Sequence, residues 1–420
     1  MDTLAIEGGK LLQGTVRVHG AKNAALPIMA ATLLADGECI LEDVPDLKDI
    51  DVMMEILSSL GAVTTRSDAI VTVDATTIHQ HLVQDEMMRK MRSSIFLMGP
   101  LLSKFGQVRI SKPGGCTIGT RPIDFHLKGM KALGAEIIEA NGYVECRAKR
   151  LQGNHIYLDY PSVGATENLM MAAALAEGTT IIGNAAREPE IVDLANFLRS
   201  MGASISGAGE DTIVIEGVDT LQPVNYRIIP DRIVAGTLVL AVAATGGDVE
   251  LQNVRPQHLG VVLTKLREAG VEIRTYMDRI LIRRRRPLTA IDRIQTAPYP
   301  GFPTDLQAPF MAVLTLAKGT SVISETVFEE RFKHVSELQR MGANIKVDLR
   351  TAFVQGVSKL TGASVAATDL RAGAALVIAG LAAEGTTIVE QVHHIDRGYQ
   401  QIEQVLQSLG ASIQRTYRKW

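Results

Sequence analysis

Six times along the 420-residue chain a helix-ending tag returns: SLGA around Gly61, ALGA around Gly134, SMGA around Gly202, EAGV around Gly270, RMGA around Gly342 and SLGA around Gly410. The period of about 70 residues is longer than a solenoid repeat, so each unit must be a small module with its own helices and strands. A second tag precedes each by about two dozen residues: ADGECIL, KFGQVRI, AEGTTII, TGGDVEL, AKGTSVI and AEGTTIV. Each unit reads as an apolar helix, a glycine stop, a short strand, a helix of mixed polarity, a second glycine stop and a strand pair. The glycines suit the left-handed position that ends a helix. The runs after them are short and β-branched, as strands are.

The last unit is incomplete. After Gly410 only ASIQRTYRKW remains, without the second strand and connection that the other units carry. The missing piece resembles the N-terminal IEGGKLLQGTVRVHGAKN, so the first twenty or so residues are expected to complete the last unit. The chain also exceeds the size at which one hydrophobic core stops growing. The expectation is an α/β protein of two domains with three units each, one of 22–229 and a discontinuous one of 1–21 and 230–420. The crossings near Gly20–Lys22 and Ile229–Asp231 would form the hinge. The first helices of the units are apolar all round, as in AALPIMAATLLA, ENLMMAAALA, IVAGTLVLAVAA, LQAPFMAVLTLA and AGAALVIAGLAA, which places them at the domain centres. Second helices such as EIVDLANFLRSMGA are amphipathic and belong outside.

Charge falls where these helices begin. Lys22 and Asn23 precede AALPIM, Thr166 precedes ENLMM, Asp231 precedes IVAGT, Thr304 and Asp305 precede LQAPF, and Asp369 and Arg371 stand by AGAALV. Asn, Asp and Thr at such places are ordinary N-caps. A cation there is unfavourable beside the positive end of the helix dipole, so Lys22 and Arg371 call for an anion. The outer helices follow Arg121, Arg187, Arg331 and Arg397. Helix N-termini combined with arginines bind phosphate and carboxylate. With the modules arranged alike, these termini share one face of each domain, and two such faces can close on an anionic ligand. Arg92, in MRKMRSSIFLMGP, reads equally as a snorkelling side chain or a ligand contact.

The remaining composition narrows the function. A net charge of −3 gives no reason to expect nucleic acid or a membrane surface, and IRRRRP at 282–287 reads as a solvated strand end. Three cysteines, Cys39, Cys116 and Cys146, imply no disulfide framework. The start MDTLAIEGGK lacks a signal pattern, and apolar runs such as 233–244 are too short to span a membrane, so a cytoplasmic protein is expected. The histidines of HQH (79–81) and HH (393–394) lack cysteine or carboxylate at metal-ligand spacing, so no metal is expected. Cys39 and Cys146 lie in β-like runs and read as core. Cys116 differs: KPGGCTIGTRPID at 112–124 sets it among glycines, with Arg121 and Asp124 following.

These residues carry a resemblance. The six units, GAKNAALP at 20–27, PGGCTIGTRPID at 113–124, REPEI at 187–191 and YPGFPTDLQAP at 299–309 resemble the UDP-N-acetylglucosamine enolpyruvyl transferases (1-carboxyvinyltransferases) over essentially the whole chain. The resemblance implies two inside-out α/β barrel domains hinged across an active site. It also implies transfer of the enolpyruvyl group of phosphoenolpyruvate to the sugar 3′-hydroxyl through a tetrahedral ketal, the first committed step of peptidoglycan precursor synthesis. No metal or organic cofactor is implied.

By the same resemblance, phosphoenolpyruvate contacts fall on Lys22, Arg121 and Arg397, with Asn23, Arg331 and Arg371 as further candidates. Lys22 and Arg397 are carried over among the catalytic residues. Cys116 matches the general acid that protonates the methylene carbon and can add phosphoenolpyruvate covalently; Gly114, Gly115 and Gly119 would let its loop fold over substrate, and Lys112 and Arg121 would favour the thiolate. Asp305 matches the carboxylate that takes the proton of the attacking hydroxyl, but as a helix N-cap it would be a weak base, so a positioning role stands beside that one. UDP-sugar contacts map to Asn23, Arg92, Arg121, Pro122, Ile123, Asp124, Phe125, Ser162, Val163, Gly164, Thr304, Asp305 and Val327, and Asp369 supports the arginines. Phe96 stands where tryptophan is usual, and Tyr160 where some members carry lysine. Two rivals remain open at this point. One is transfer to shikimate 3-phosphate, against which the cysteine loop and RPID segment argue; the other is a non-catalytic paralogue that binds UDP-sugar.

Overall fold

The structure, a computed structural model, describes residues 2–80, 82–83, 92–111 and 123–417. They divide into two compact units, one of the described residues within 2–19 and 230–417 and one of those within 20–111 and 123–229.

In the unit of 20–229, the strand Glu38–Glu42 pairs in parallel with Asn225–Arg227 and antiparallel with Ile70–Asp74, which also pairs with Val63–Ser67. The same pattern recurs at Thr179–Gly183, flanked by parallel His155–Tyr157 and antiparallel Thr212–Glu216, with Ser204–Ser206 at the edge. Between them lies a sheet of Gln107–Ser111, Tyr143–Arg147 and Glu136–Ala140, with Leu82 bridging in parallel to Arg109. Each module is thus a short leading strand, a buried helix, a central strand, a second helix and a hairpin.

The other unit repeats the pattern with leading strands Leu12–Arg17, Arg293–Gln295 and Ser364–Ala366 on central strands Gly247–Gln252, Thr320–Ser324 and Thr386–Glu390. Here the chain's start is used twice. Asp2–Glu7 lies between Thr386–Glu390 and Ser412–Tyr417 as the second hairpin strand of the last module, and Leu12–Arg17 is the leading strand of the next one round.

All six tag glycines carry φ between +91° and +109°, which is costly for any residue with a Cβ. After each, the next N–H reaches back five residues, as from Ala62 to Leu57 at 3.1 Å and from Ala411 to Leu406 at 3.0 Å, the bond that closes a Schellman stop. The glycine rule therefore sets where every outer helix ends.

Three apolar helices, Arg232–Thr245, Gln307–Leu314 and Leu370–Ala382, pack against one another at the centre of their unit. In the other unit the buried helices are Lys22–Ala31, Met98–Phe105 and Val163–Ala173. Met98–Phe105 packs on Val163–Ala173, and the buried Asn168 stitches the contact. Its Oδ1 accepts from Gly99 N at 2.8 Å, and its Nδ2 donates to the Ile95 carbonyl at 2.8 Å and meets His126 Nδ1 at 2.9 Å. A Cβ on Gly99 would lie 2.4 Å from the Asn168 carbonyl, so only glycine permits this approach.

The basic run departs from a solvated strand end. Arg283 pairs with Asp248, and the partly buried Arg284 donates to the Ala244 carbonyl at 3.0 Å, closing the C-terminus of Arg232–Thr245; Arg285 and Arg286 are exposed. Among the described residues, no helix is long and apolar enough to cross a membrane, and no group of three or more His, Cys, Asp or Glu is arranged to hold a metal ion.

Candidate active site

In the unit that carries both chain ends, the starts of the buried helices gather opposite charges. Asp305 sits in the short 3-10 turn Thr304–Leu306, whose N-cap is Pro303 without a side-chain cap bond. The N-cap reading of Asp305 is therefore overturned: its carboxylate turns to two arginines instead of to the helix N–H groups. Oδ1 accepts from Arg331 Nη2 at 2.6 Å and Oδ2 from Arg371 Nη2 at 2.8 Å, with both arginine side chains buried and Asp305 26% exposed. The turn is pinned from below by Leu306, which fills the space at Gly236, where a Cβ would meet Leu306 Cδ1 at 2.4 Å.

Arg371 is the second residue of Leu370–Ala382, beside the positive end of its own helix. Burial works against its charge, but Asp305, with the Tyr399 hydroxyl and Asp231, more than offsets this and holds it above the ordinary arginine range. Its Nη1 also donates to Tyr399 Oη at 3.2 Å, and Tyr399 meets Thr237 Oγ1 at 2.9 Å. Asp369 and Asp231 are true caps: Asp369 accepts from the N–H groups of Arg371 at 2.9 Å and Ala372 at 3.0 Å, Asp231 from those of Ile233 at 2.8 Å and Val234 at 3.0 Å. His334 is buried close by; burial, reinforced by Arg331 and opposed by Asp369, pushes its imidazole down to about 4, so it is neutral. Arg397 ends the turn Val392–Arg397 and is exposed. Thr304 and Val327 both contact the carboxylate of Glu325.

In the other unit, Lys22 opens the helix Lys22–Ala31 after Ala21, with no side-chain cap, and Asn23 is exposed on the first turn instead of capping. The anion that Lys22 meets is Asp49, whose Oδ2 accepts from Nζ at 3.0 Å between two buried side chains. Ser162, not Thr166, caps Val163–Ala173: its Oγ accepts from Ala165 N at 3.3 Å. Thr166 lies inside the helix and donates to the Ser162 carbonyl at 2.8 Å. The Asn168 stitch brings the turn Arg92–Leu97, the segment Ile123–Asp124–Phe125 and the Ser162–Val163–Gly164 turn to one place, and the Phe96 ring packs by Gly164. Asp124 is exposed at the first turn of Asp124–Ala132.

Glu167, on the same buried helix, is 1% exposed, and its Oε2 has no hydrogen-bond partner among the described residues. Burial first, then the neighbouring Glu190 and Glu188, pushes its carboxyl well above the usual range. Cys39 and Cys146 are fully buried in strands; burial raises both thiols, that of Cys146 to about 12, which fits core residues. Cys116, Arg121 and Pro122 lie outside the described residues, as do Lys112, Gly114, Gly115 and Gly119.

Asp49, Tyr399, Glu167 and Glu325 escaped the reading of the sequence. Each of three stood near a residue already singled out: Tyr399 two residues beyond Arg397, Glu167 directly after Thr166, and Glu325 two residues before Val327.

Two buried arginines aimed at one carboxylate, Arg371 at a helix start and Arg331 in the turn before Val335–Arg340, are equipment suited to holding small anions. The chain belongs to the enolpyruvyl transferases: residues 6–406 match the family described as EPSP synthase (3-phosphoshikimate 1-carboxyvinyltransferase). Within that family it is 54% identical over 415 residues to UDP-N-acetylglucosamine 1-carboxyvinyltransferase 2 of Caldanaerobacter subterraneus subsp. tengcongensis, covering 99% of this chain and 100% of that one. It is 51% identical over 416 residues to UDP-N-acetylglucosamine 1-carboxyvinyltransferase of Halorhodospira halophila, covering 99% of both. The crystal structure of the enolpyruvyl transferase NikO from Streptomyces tendae superimposes with a TM-score of 0.89 at 28% identity, over 99% of both chains. EPSP synthase from Acinetobacter baumannii gives 0.78 at 19% identity over 99% of this chain and 100% of that one, a likeness of fold alone. The enolpyruvyl transferase fold that the resemblance implied is the fold of this chain.

Proposed function

We propose that this chain transfers the enolpyruvyl group of phosphoenolpyruvate to the 3′-hydroxyl of UDP-N-acetylglucosamine, releasing phosphate in the first committed step of peptidoglycan precursor synthesis. What carries this reading is relatives of that name at 51% to 55% identity over nearly the full chain. The substrates in this reading are small molecules, and the chain would act in the cytoplasm.

The reaction adds the sugar oxygen to C2 of phosphoenolpyruvate while C3 gains a proton, giving a tetrahedral ketal. C3 then loses a proton as the bond from C2 to the phosphate oxygen breaks. Lys22, Asn23, Arg121, Arg331, Arg371 and Arg397 would hold the phosphate and carboxylate, and buried cations act strongly on developing charge because little water screens them. Cys116 would supply the proton to C3. Asp305 would accept a hydrogen bond from the attacking hydroxyl and orient it; with both oxygens already engaged by arginines, this positioning role is favoured over that of a strong base. Arg92, Arg121–Phe125, Ser162–Gly164, Thr304 and Val327 would hold the sugar nucleotide, with Asp369 supporting the arginines. In this reading the domains are 1–21 with 230–420, and 22–229.

The test is mass spectrometry of UDP-N-acetylglucosamine incubated with phosphoenolpyruvate and the purified chain. An enolpyruvyl ether at the 3′-oxygen, absent with Cys116→Ala, supports the reading. An unmodified sugar nucleotide with the folded protein contradicts it.

A further inference from the structure

Glu325 follows the strand Thr320–Ser324 and is 1% exposed, yet its carboxylate is satisfied from three separate stretches of chain. Oε1 accepts from the Thr296 hydroxyl at 2.8 Å and from the backbone N–H groups of Val327 at 2.8 Å and Phe328 at 3.1 Å. Oε2 accepts from the Thr304 hydroxyl at 3.0 Å. Thr296 is itself fully buried and fully committed, since its oxygen also accepts from Thr326 N at 2.9 Å.

A buried carboxylate is costly unless donors take its lone pairs, and a buried donor is costly when its acceptor is removed. Four donors and one acceptor group thus hold one another in place, through charge-assisted bonds that are stronger than neutral ones. The geometry they hold matters. Thr304 is the residue before Asp305, and Phe328 lies under the Arg331 guanidinium, 5.4 Å from ring centroid to Cζ, while Arg331 grips Asp305 from the other side. One side chain thereby ties both ends of the Asp305–Arg331 pair to the Val327 backbone.

We propose that Glu325 is a positioning residue for the acceptor sugar: its carboxylate fixes the Thr304–Asp305 turn against the Val327–Phe328 backbone without touching substrate. This rests on the reading of Asp305 and Val327 as sugar-side contacts. A displacement of about 1 Å at such a site costs on the order of 100-fold in rate.

The experiment compares steady-state kinetics of the full-length wild type with Glu325→Ala, Glu325→Gln, Thr296→Val, Thr304→Val and Asp305→Asn. Glu325→Ala is expected to lower kcat/KM for UDP-N-acetylglucosamine by roughly 100-fold, with a smaller effect on phosphoenolpyruvate, whose proposed contact Arg331 meets Glu325 only through Phe328. Glu325→Gln should recover most of the loss, because the amide oxygen can accept from Val327 and Phe328 and the amide nitrogen can donate to a rotated Thr304 hydroxyl. Thr304→Val, which removes one of the bonds, should fall between. Wild-type sugar kinetics in Glu325→Ala overturns the proposal. So does an equal loss for both substrates without rescue by glutamine, the mark of a merely structural residue. If Glu325→Ala does not fold, Thr296→Val decides, since it removes a bond to Glu325 from a fully buried residue outside the proposed sugar contacts: a selective loss for the sugar supports the proposal and unchanged kinetics overturns it. Asp305→Asn separates the two readings. An inactive Asp305→Asn beside a normal Glu325→Ala leaves the site reading standing and rejects this one, whereas a fully active Asp305→Asn rejects the site reading itself.

Discussion

Around Asp305 carboxylate is held against guanidinium, whereas in the other unit Glu167, one turn inside a buried helix, has Glu188 and Glu190 for neighbours. In the first region each charge steadies its neighbour: Asp305 sits between Arg331 and Arg371, and Arg371 stays ionised although buried. In the second, burial and like charge make ionisation of Glu167 unfavourable, so it stays protonated well above the usual carboxyl range. Buried charge is thus handled in two ways in one chain. The matched set keeps its cations charged although they are buried, as the proposed role of Arg331 and Arg371 in holding an anionic substrate requires. The crowded acid avoids its penalty by remaining neutral, which makes the two regions respond oppositely to mutation and to pH.

The largest effect belongs to the matched set. Arg371→Met leaves Asp305 with one arginine and removes the donor to Tyr399. Steady-state assays should show kcat/KM for phosphoenolpyruvate reduced by about 1,000-fold, and urea titration should show about 3 kcal/mol less stability. Arg371→Lys should recover little, since one ammonium cannot reproduce the fork that reaches both Asp305 and Tyr399. Near-normal catalysis in Arg371→Met would remove the functional half of the comparison.

His334 gives the next effect. Its imidazole titrates near 4 in the fold against 6.5 when unfolded, so between those values the unfolded chain binds the extra proton. Stability therefore falls as pH drops from about 6.5 to about 4, at up to about 1.4 kcal/mol per unit from this residue. Urea titrations across that window should show a shallower fall for His334→Asn. An identical slope would mean that His334 is not held neutral.

Glu167 should show the opposite sign. Its folded value lies well above 4.5, so as pH rises past 4.5 the unfolded chain gives up a proton that the native one keeps, and stability is lost. Glu167→Gln should match the wild type near pH 4 and be the more stable of the two near pH 8. A variant less stable than wild type at pH 8 would mean that Glu167 is ionised and paired in the fold.

The smallest perturbation concerns the thiols. Iodoacetamide at neutral pH should label Cys116 and leave Cys39 and Cys146 untouched, because burial keeps those two protonated and covered. Labelling that persists in Cys116→Ala would contradict that assignment.

The modular plan was legible because glycine is needed wherever φ turns positive, and six such positions recur with the same flanking pattern. The closing role of the N-terminal strands was legible because the last module visibly lacked a strand. One buried helix went unmarked, since MRKMRSS puts polar residues ahead of Met98–Phe105. Helix starts were the weak point. Asp231 and Asp369 cap as their positions suggest, but Thr166 lies one turn inside a helix capped by Ser162, and Asp305 gives its oxygens to arginines far away in the chain. A local rule sees the helix, not the guanidinium that competes for the same carboxylate. Asp49 and Glu325 were hidden for the same reason: their partners, Lys22, Thr296 and Thr304, are brought to them only by the fold.

The central claim is the identity of the acceptor, and phosphate release from phosphoenolpyruvate tests it most directly, with UDP-N-acetylglucosamine and shikimate 3-phosphate offered in parallel to the wild type and Cys116→Ala. Release with the UDP-sugar alone, lost in the variant, is the expected result. Release with shikimate 3-phosphate, or none with either while UDP-N-acetylglucosamine still binds, would contradict it.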